Sequence, residues 1–191
     1  VDVLTLTATP IPRTLYMSLS GTWDMSMINT PPLNRSPIRT FVMEENPVTI
    51  KEAIIREIER GGQVYFLHDA VHNIGKVAEQ IQKLVPRVRI AVAHGQMNSR
   101  KLVMVMLDFI HQRLDILVCT TIIESGIDIP NVNTIIINHA QRFGLADLYQ
   151  LRGRVGRSNV NAFAYLLYEK GKILTDDALD RLSAIADYSA L

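Results

Sequence analysis

A single cysteine, Cys119, stands among the 191 residues. That excludes an internal disulfide framework and any multi-cysteine metal centre. Its setting, "DILVC" at 115–119, reads as a buried strand, so Cys119 is read as core packing in a reducing, intracellular protein. Charge of one sign is also scarce: 20 Lys and Arg against 19 Asp and Glu leave a net +1. Nothing global pulls this chain toward nucleic acid or membrane, so any anion must be met by a local cluster. No apolar run reaches the roughly 18 residues of a membrane span. The N-terminal "VDVLTLTATP" lacks the basic stretch that opens a signal peptide. The five histidines show no metal-ligand spacing, and there are no internal repeats or low-complexity tracts. An initiator methionine is missing as well, and the chain starts inside a strand-like run, which reads as a fragment of something longer.

What is present is alternation. Short β-branched runs at 38–43, 63–67, 88–92, 115–119, 132–137 and 162–167 are separated by helical patterns. Thr49 with Glu52 three residues on predicts a capping box at the start of a helix that stops at Gly61-Gly62. The next helix is read with Asp69 as N-cap, apolar positions Ile74, Val77, Ala78, Ile81, Leu84 and Val85 at helical spacing, and Pro86 as its end. A third covers about 98–111, with Leu102, Met106 and Phe109 on one face and its methionines as core filler. Apolar strands alternating with helices predict an α/β domain with a mainly parallel sheet covered on both faces. Ligands then bind beyond the carboxyl ends of the strands. The polar stretches that follow the strands are His68-Asp69, "HGQM" (94–97), "TTIIESGIDIP" (120–130) and "NHAQR" (138–142). Residues 1–37 differ in character, and the proline-rich "PPLNRSP" (31–37) reads as a linker with a boundary near 36.

The densest charge lies in "QLRGRVGR" at 150–157. Taken as helical to about 155, it sets Gln150, Arg154 and Arg157 on one face, while Gly153 and Gly156 clear room beside them. Arginine suits phosphate because its planar fork offers paired donors and stays charged. Against a solvated basic face, the glycines and Gln150 favour phosphate contact. Arg152 has no assignable role and is read as a surface position. In "TTIIESGIDIP", Thr120 and Thr121 follow a strand, Gly126 permits a tight turn, and Asp128 offers a carboxylate to a ribose hydroxyl. Plain capping and turning explains the same residues equally well. Gly95 in "HGQM" lies between a strand and a helix, where amides can meet an anion. His94 reads as a packing or hydrogen-bonding residue. Asp69 reads as a cap before amides that could touch a phosphate. "TATPIPRTL" (7–15) offers Thr7 and Thr9 beside two prolines, or simply a rigid exit from a strand.

In order, these stretches resemble the later signature motifs of superfamily 2 helicases: "TATP" motif III, "QVYFLHD" motif IV, "HGQM" motif IVa, "TTIIESGIDIP" motif V and "QLRGRVGR" motif VI. "HQRLDILVCTTIIESGIDIP" and "FGLADLYQLRGRVGRS" are similar in wording to the bacterial transcription-repair coupling factors, and "TATPIPRTL" and "QLRGRVGR" also to their relative RecG. The resemblance implies a RecA-like, P-loop NTPase-type three-layer lobe. Residues 1–36 would end a first motor lobe and form the inter-lobe linker, 37–170 would be the second lobe, and 171–191 would begin a translocation helical hairpin. It further implies arginine fingers at Arg154 and Arg157, Gln150 orienting within that site, Asp128 at the ribose and Gly126 at the cleft. Thr120, Thr121, Gly95 and the helix start after Asp69 would grip DNA phosphates, and Thr7 and Thr9 would couple nucleotide state to that grip. The cofactor implied is ATP with Mg²⁺, held mainly by the first lobe. The partners implied are double-stranded DNA and, through other regions, RNA polymerase and nucleotide-excision-repair proteins, in the bacterial cytoplasm. The chain departs from a complete motor: it has no G-x-x-x-x-G-K-[ST] loop and no DExx box, so alone it is not expected to hydrolyse ATP. A RecG-like lobe, an RNA helicase lobe and a non-catalytic binding module on the same fold are the alternatives.

Overall fold

The computed structural model describes residue 26, residues 37–121 and residues 129–187. Its internal contacts group the chain into Val1–Leu33 and Asn34–Leu191. Eleven principal elements alternate along the second unit: β1 (Ile38–Glu44), α1 (Pro47–Glu59), β2 (Gln63–Leu67), α2 (Ile74–Leu84), β3 (Ile90–Ala93), α3 (Ser99–Ile110), β4 (Ile116–Cys119), β5 (Val132–Ile137), α4 (Leu145–Arg152), β6 (Ala162–Tyr168) and α5 (Asp176–Asp187).

The six strands form one sheet in the order β1-β6-β5-β2-β4-β3, with every pairing parallel. Strands β2, β4 and β5 are buried along their whole length, as continuous apolar runs with helices on both faces must be. Side-chain alternation sends Val64 and Phe66 of β2, Ile116 and Val118 of β4, and Ile136 of β5 to one face. There they meet Ile50 and Ile54 of α1 and Ile74 and Ile81 of α2. Tyr65, Leu67, Leu117, Cys119, Ile135 and Ile137 point to the other face, against Phe109 of α3, Leu148 and Leu151 of α4, and Leu182 and Ile185 of α5. The result is the three-layer α/β domain that the alternation predicts. Among the described residues, no helix is long and apolar enough to cross a membrane.

Three local expectations are corrected. Helix α1 starts at Pro47, not at a Thr49 capping box: Asn46 is the N-cap, its side chain accepting from the Val48 N–H at 2.9 Å. Proline fits the first helical position because it has no N–H to orphan and its φ is preset. The helix stops as expected, at Arg60 and Gly61, the latter at φ +79°. Asp69 caps nothing. Ala70 caps a short 3₁₀ turn (Val71–Asn73), and Asn73 precedes α2. Finally, Met106 is core filler but Met104 is exposed, on the outer face of α3 beside Val103 and Leu107.

Candidate functional site

Because the sheet is all parallel, residues that follow β2, β3, β4 and β5 share its carboxyl edge. Thr120 and Thr121 lie directly after β4, Thr120 half-buried with its N–H donating to Ala93 O at 3.3 Å. Gly95 lies in an exposed turn after β3, closed by the Met97 N–H donating to His94 O at 3.1 Å. Three residues further on, Asn98 caps α3, its side chain accepting from the Arg100 N–H. Thr120, Thr121 and Gly95 are therefore brought to one edge. Gly126, Asp128, Thr7 and Thr9 lie outside the described residues.

Asp69 shares that edge but is engaged in a different way. Its Oδ2 accepts from Arg142 Nη1 at 2.6 Å and its Oδ1 pairs with His139 Nδ1 at 3.1 Å. Burial works to raise its carboxyl, but the hydrogen bonds and charges of Arg142 and His139 outweigh that and hold it below the ordinary value. Arg142 also reaches Glu169, which Lys172 holds from its other side. His68 is buried. Its Nε2 faces Asn73 Oδ1 at 2.8 Å, and its Nδ1 faces Asn138 Nδ2 at 3.4 Å. His139 adopts a left-handed conformation (φ 54°, ψ 44°), uncommon for a residue with a side chain. Neither His139 nor Arg142 was singled out among the site residues by sequence. The only signal was the polar run "NHAQR" after β5, and their partner Asp69 is 70 and 73 positions away.

The basic stretch sits elsewhere. Helix α4 opens at Gly144, whose N–H donates to Asp147 Oδ2 at 3.2 Å, and ends at Arg152. It does not run to 155, so Gln150, Arg154 and Arg157 do not share a helical face. Gln150 is on the helix, while Arg154 and Arg157 lie in the turn and loop after it. The chain leaves the helix through Gly156, at φ +76°, packed against Ile38 and Ala162 so closely that a Cβ would lie 3.0 Å from Ile38 Cγ1. Ile38 and Ala162 open β1 and β6, so this loop crosses the amino edge of the sheet. Five residues of strand span on the order of 16 Å. The two groups of candidate residues therefore lie at opposite edges. Arg154 is half-buried and Arg157 exposed, its Nε donating to Gly153 O at 3.4 Å. Next to it, Ser158 Oγ donates to Asn133 Oδ1 at 2.8 Å and ties the loop to the start of β5.

Arg152 is not a surface residue. It is 4% exposed, its guanidinium lies 4.9 Å from the centre of the Tyr149 ring, and its Nη1 donates to Ile185 O at 3.2 Å. Tyr149 OH reaches Ala184 O at 3.5 Å, and Arg181 Nη2 donates back to Gln141 O at 3.1 Å. Two side chains of α4 thus meet two backbone carbonyls of α5. Buried Cys119 has its thiol pushed up by desolvation, which keeps it protonated and inert.

Residues 47–159 match the family model of the helicase conserved C-terminal domain. The chain is 59% identical over 191 residues to the transcription-repair-coupling factor of Escherichia coli (strain K12), covering 100% of this chain and 17% of that protein. It is 57% identical to the transcription-repair-coupling factor of Staphylococcus aureus (strain USA300), of which it spans 16%. Among solved structures, RecG bound to a three-way DNA junction is similar at a TM-score of 0.76 and 34% identity, with 95% of this chain and 26% of that one covered. Dbp5 L327V of S. cerevisiae, bound to RNA and ADP BeF3, is similar in fold alone, at a TM-score of 0.68 and 16% identity, with 96% and 48% covered. An all-parallel RecA-like sheet, a basic loop after α4 and a family model matching more than half of the length lead to one conclusion: the chain belongs to the helicase conserved C-terminal domain family.

Proposed function

We propose that this chain is the second motor lobe of an ATP-dependent double-stranded DNA translocase that acts in transcription-coupled repair. The observation that carries this reading is the separation of its two anion-competent edges. Arg154 and Arg157 follow α4 in a loop pinned by Gly156 at the amino edge of the sheet. Thr120, Thr121 and Gly95 line the carboxyl edge. A motor needs such a division, because nucleotide chemistry and track binding must be distinct yet joined by a rigid body. In this reading Arg154 and Arg157 are arginine fingers toward the γ-phosphate, Gln150 orients groups within that site, Asp128 meets the ribose and Gly126 the cleft. Thr120, Thr121, Gly95 and the segment after Asp69 contact DNA phosphates. Thr7 and Thr9 couple the two.

Arginine suits phosphate oxygens, whereas Mg²⁺ takes oxygen ligands. The ion and most of the nucleotide therefore belong to a first lobe bearing the G-x-x-x-x-G-K-[ST] loop that this sequence lacks. RNA polymerase and nucleotide-excision-repair proteins are engaged through other regions of the whole protein. The test is Arg157→Ala in the full-length protein. It should lower ATP hydrolysis by about 10³–10⁵, the range for removing an arginine finger, with DNA binding little changed. Retained hydrolysis would remove the finger role. The likeness to RecG at 34% identity supports a second reading, a fork-remodelling lobe. Strand-exchange activity on model forks by the full-length protein, without displacement of a stalled polymerase, would favour that second reading.

A further inference from the structure

We propose that His68, Asp69 and His139 form a binding site for a late first-row divalent cation of the zinc class, joining the loop after β2 to the loop after β5. Each residue offers one ligand atom, and the three atoms lie within 4.8 Å of one another. The closest approaches are Asp69 Oδ1 to His139 Nδ1 at 3.1 Å and Asp69 Oδ1 to His68 Nδ1 at 3.6 Å. Zinc bonds of about 2.0–2.2 Å meeting at tetrahedral angles set ligand atoms about 3.3–3.6 Å apart, so the two Asp69 pairs already stand close to that spacing, and the two imidazole nitrogens, within 4.8 Å of each other, close on the ion by a side-chain shift of about 1 Å.

The surroundings are those of ligands rather than of a chance cluster. His68 Nε2 faces Asn73 Oδ1 at 2.8 Å. An amide oxygen only accepts, so the ring proton is on Nε2 and the Nδ1 lone pair is directed toward Asp69. A ligating histidine commonly donates its other N–H to such an oxygen, which fixes both tautomer and ring. Asp69 presents Oδ1 to the two histidines while Arg142 holds its Oδ2 at 2.6 Å, so the carboxylate is oriented without its inner oxygen being blocked. Asn138 Nδ2, 3.4 Å from His68 Nδ1, is a weak competitor for that lone pair. His139 is aimed at Asp69 by its left-handed backbone, and its neutral ring ligates through Nδ1 once the proton sits on Nε2. Two imidazoles and one carboxylate select zinc, cobalt or nickel over magnesium or calcium. Three protein ligands leave a fourth tetrahedral position for water or an anion oxygen. The sole cysteine is buried and protonated, so it supplies no competing thiolate.

The test uses Co²⁺ alone as the probe, titrated into the whole chain and followed by its visible d–d absorption, with Zn²⁺ as competitor. One equivalent should bind, Zn²⁺ should displace it, and Zn²⁺ should raise the melting temperature. Asp69→Asn is close to isosteric, and His139→Asn keeps a side chain that tolerates the left-handed backbone. Each should weaken binding by at least about tenfold, the lower bound seen even for outer-shell losses. His72→Ala and His111→Ala should leave it unchanged. Circular dichroism of each variant checks that it folds. An unaltered Co²⁺ spectrum with the wild-type chain, or binding that survives either site substitution, overturns the proposal.

Discussion

Arg152 Nη1 donates to the carbonyl of Ile185 at 3.2 Å, so a buried cation of α4 is bonded to the backbone of α5. The residue beside it, Tyr149, stacks under the guanidinium and reaches Ala184 O. This contact ties α5 to α4, the helix that leads into the loop carrying Arg154 and Arg157.

Removing that contact should loosen α5 before it affects the sheet. Arg152→Ala is expected to cost about 2–3 kcal/mol, the scale of a buried charge-assisted hydrogen bond. Urea unfolding measures the cost. Hydrogen exchange should show faster exchange in 176–187 than in β2, β4 and β5. Unchanged protection of α5 would mean that the apolar contacts of Leu182 and Ile185 hold it alone.

Two glycines invite opposite outcomes. A Cβ at Gly62 would collide with the carboxylate of Glu57, which is buried and bonded to Thr134 and Arg60. Gly62→Ala should therefore destabilise by about 1–3 kcal/mol, as overpacking does. Gly75 lies in the first turn of α2 with open space around its Cβ position. Gly75→Ala should stabilise by about 0.5–1 kcal/mol, because alanine loses less backbone entropy in a helix. Paired thermal melts decide both.

Gly156 combines a positive φ with close contact to Ile38 and Ala162. Gly156→Ala should therefore shift the Arg154–Arg157 loop from its place at the amino edge. In the full-length protein we expect ATP hydrolysis to fall at least about tenfold, as displacements of about 1 Å can cost a hundredfold. DNA binding, assigned to the opposite edge, should change little. Equal losses in both would argue against two separate edges.

The Asp69–Arg142 pair makes a pH-dependent contribution. Arg142 and His139 hold the folded Asp69 carboxyl below its unfolded value despite burial. The sign follows: the stabilisation is fully present above the unfolded value, near 3.8, and is lost as pH falls through the lower folded value. The stability gap between wild type and Asp69→Asn should be constant near neutrality and close only on strong acidification. Urea midpoints across that range test it. A gap that closes already near neutrality would mean that the Asp69 carboxylate is not its source.

The sequence alone determined the layers. Six β-branched runs and the helical spacing of positions such as Ile74, Val77 and Ile81 are local periodicities, and each names its own element. Motif order likewise made the helicase family legible from "HGQM" and "QLRGRVGR", because their glycines and arginines stand at short fixed intervals. Helix ends were less legible, since Asn46-Pro47 and Thr49 both look like starts and only one is used. Tertiary structure alone decided what Arg152 and Asp69 do. The partners Ile185 and Arg142 lie 33 and 73 positions away, and no local pattern encodes a contact made only when the parallel sheet brings distant loops together. It also decided that Arg157 and Thr120 face opposite edges, because strand direction and order are properties of the assembled sheet rather than of any one strand.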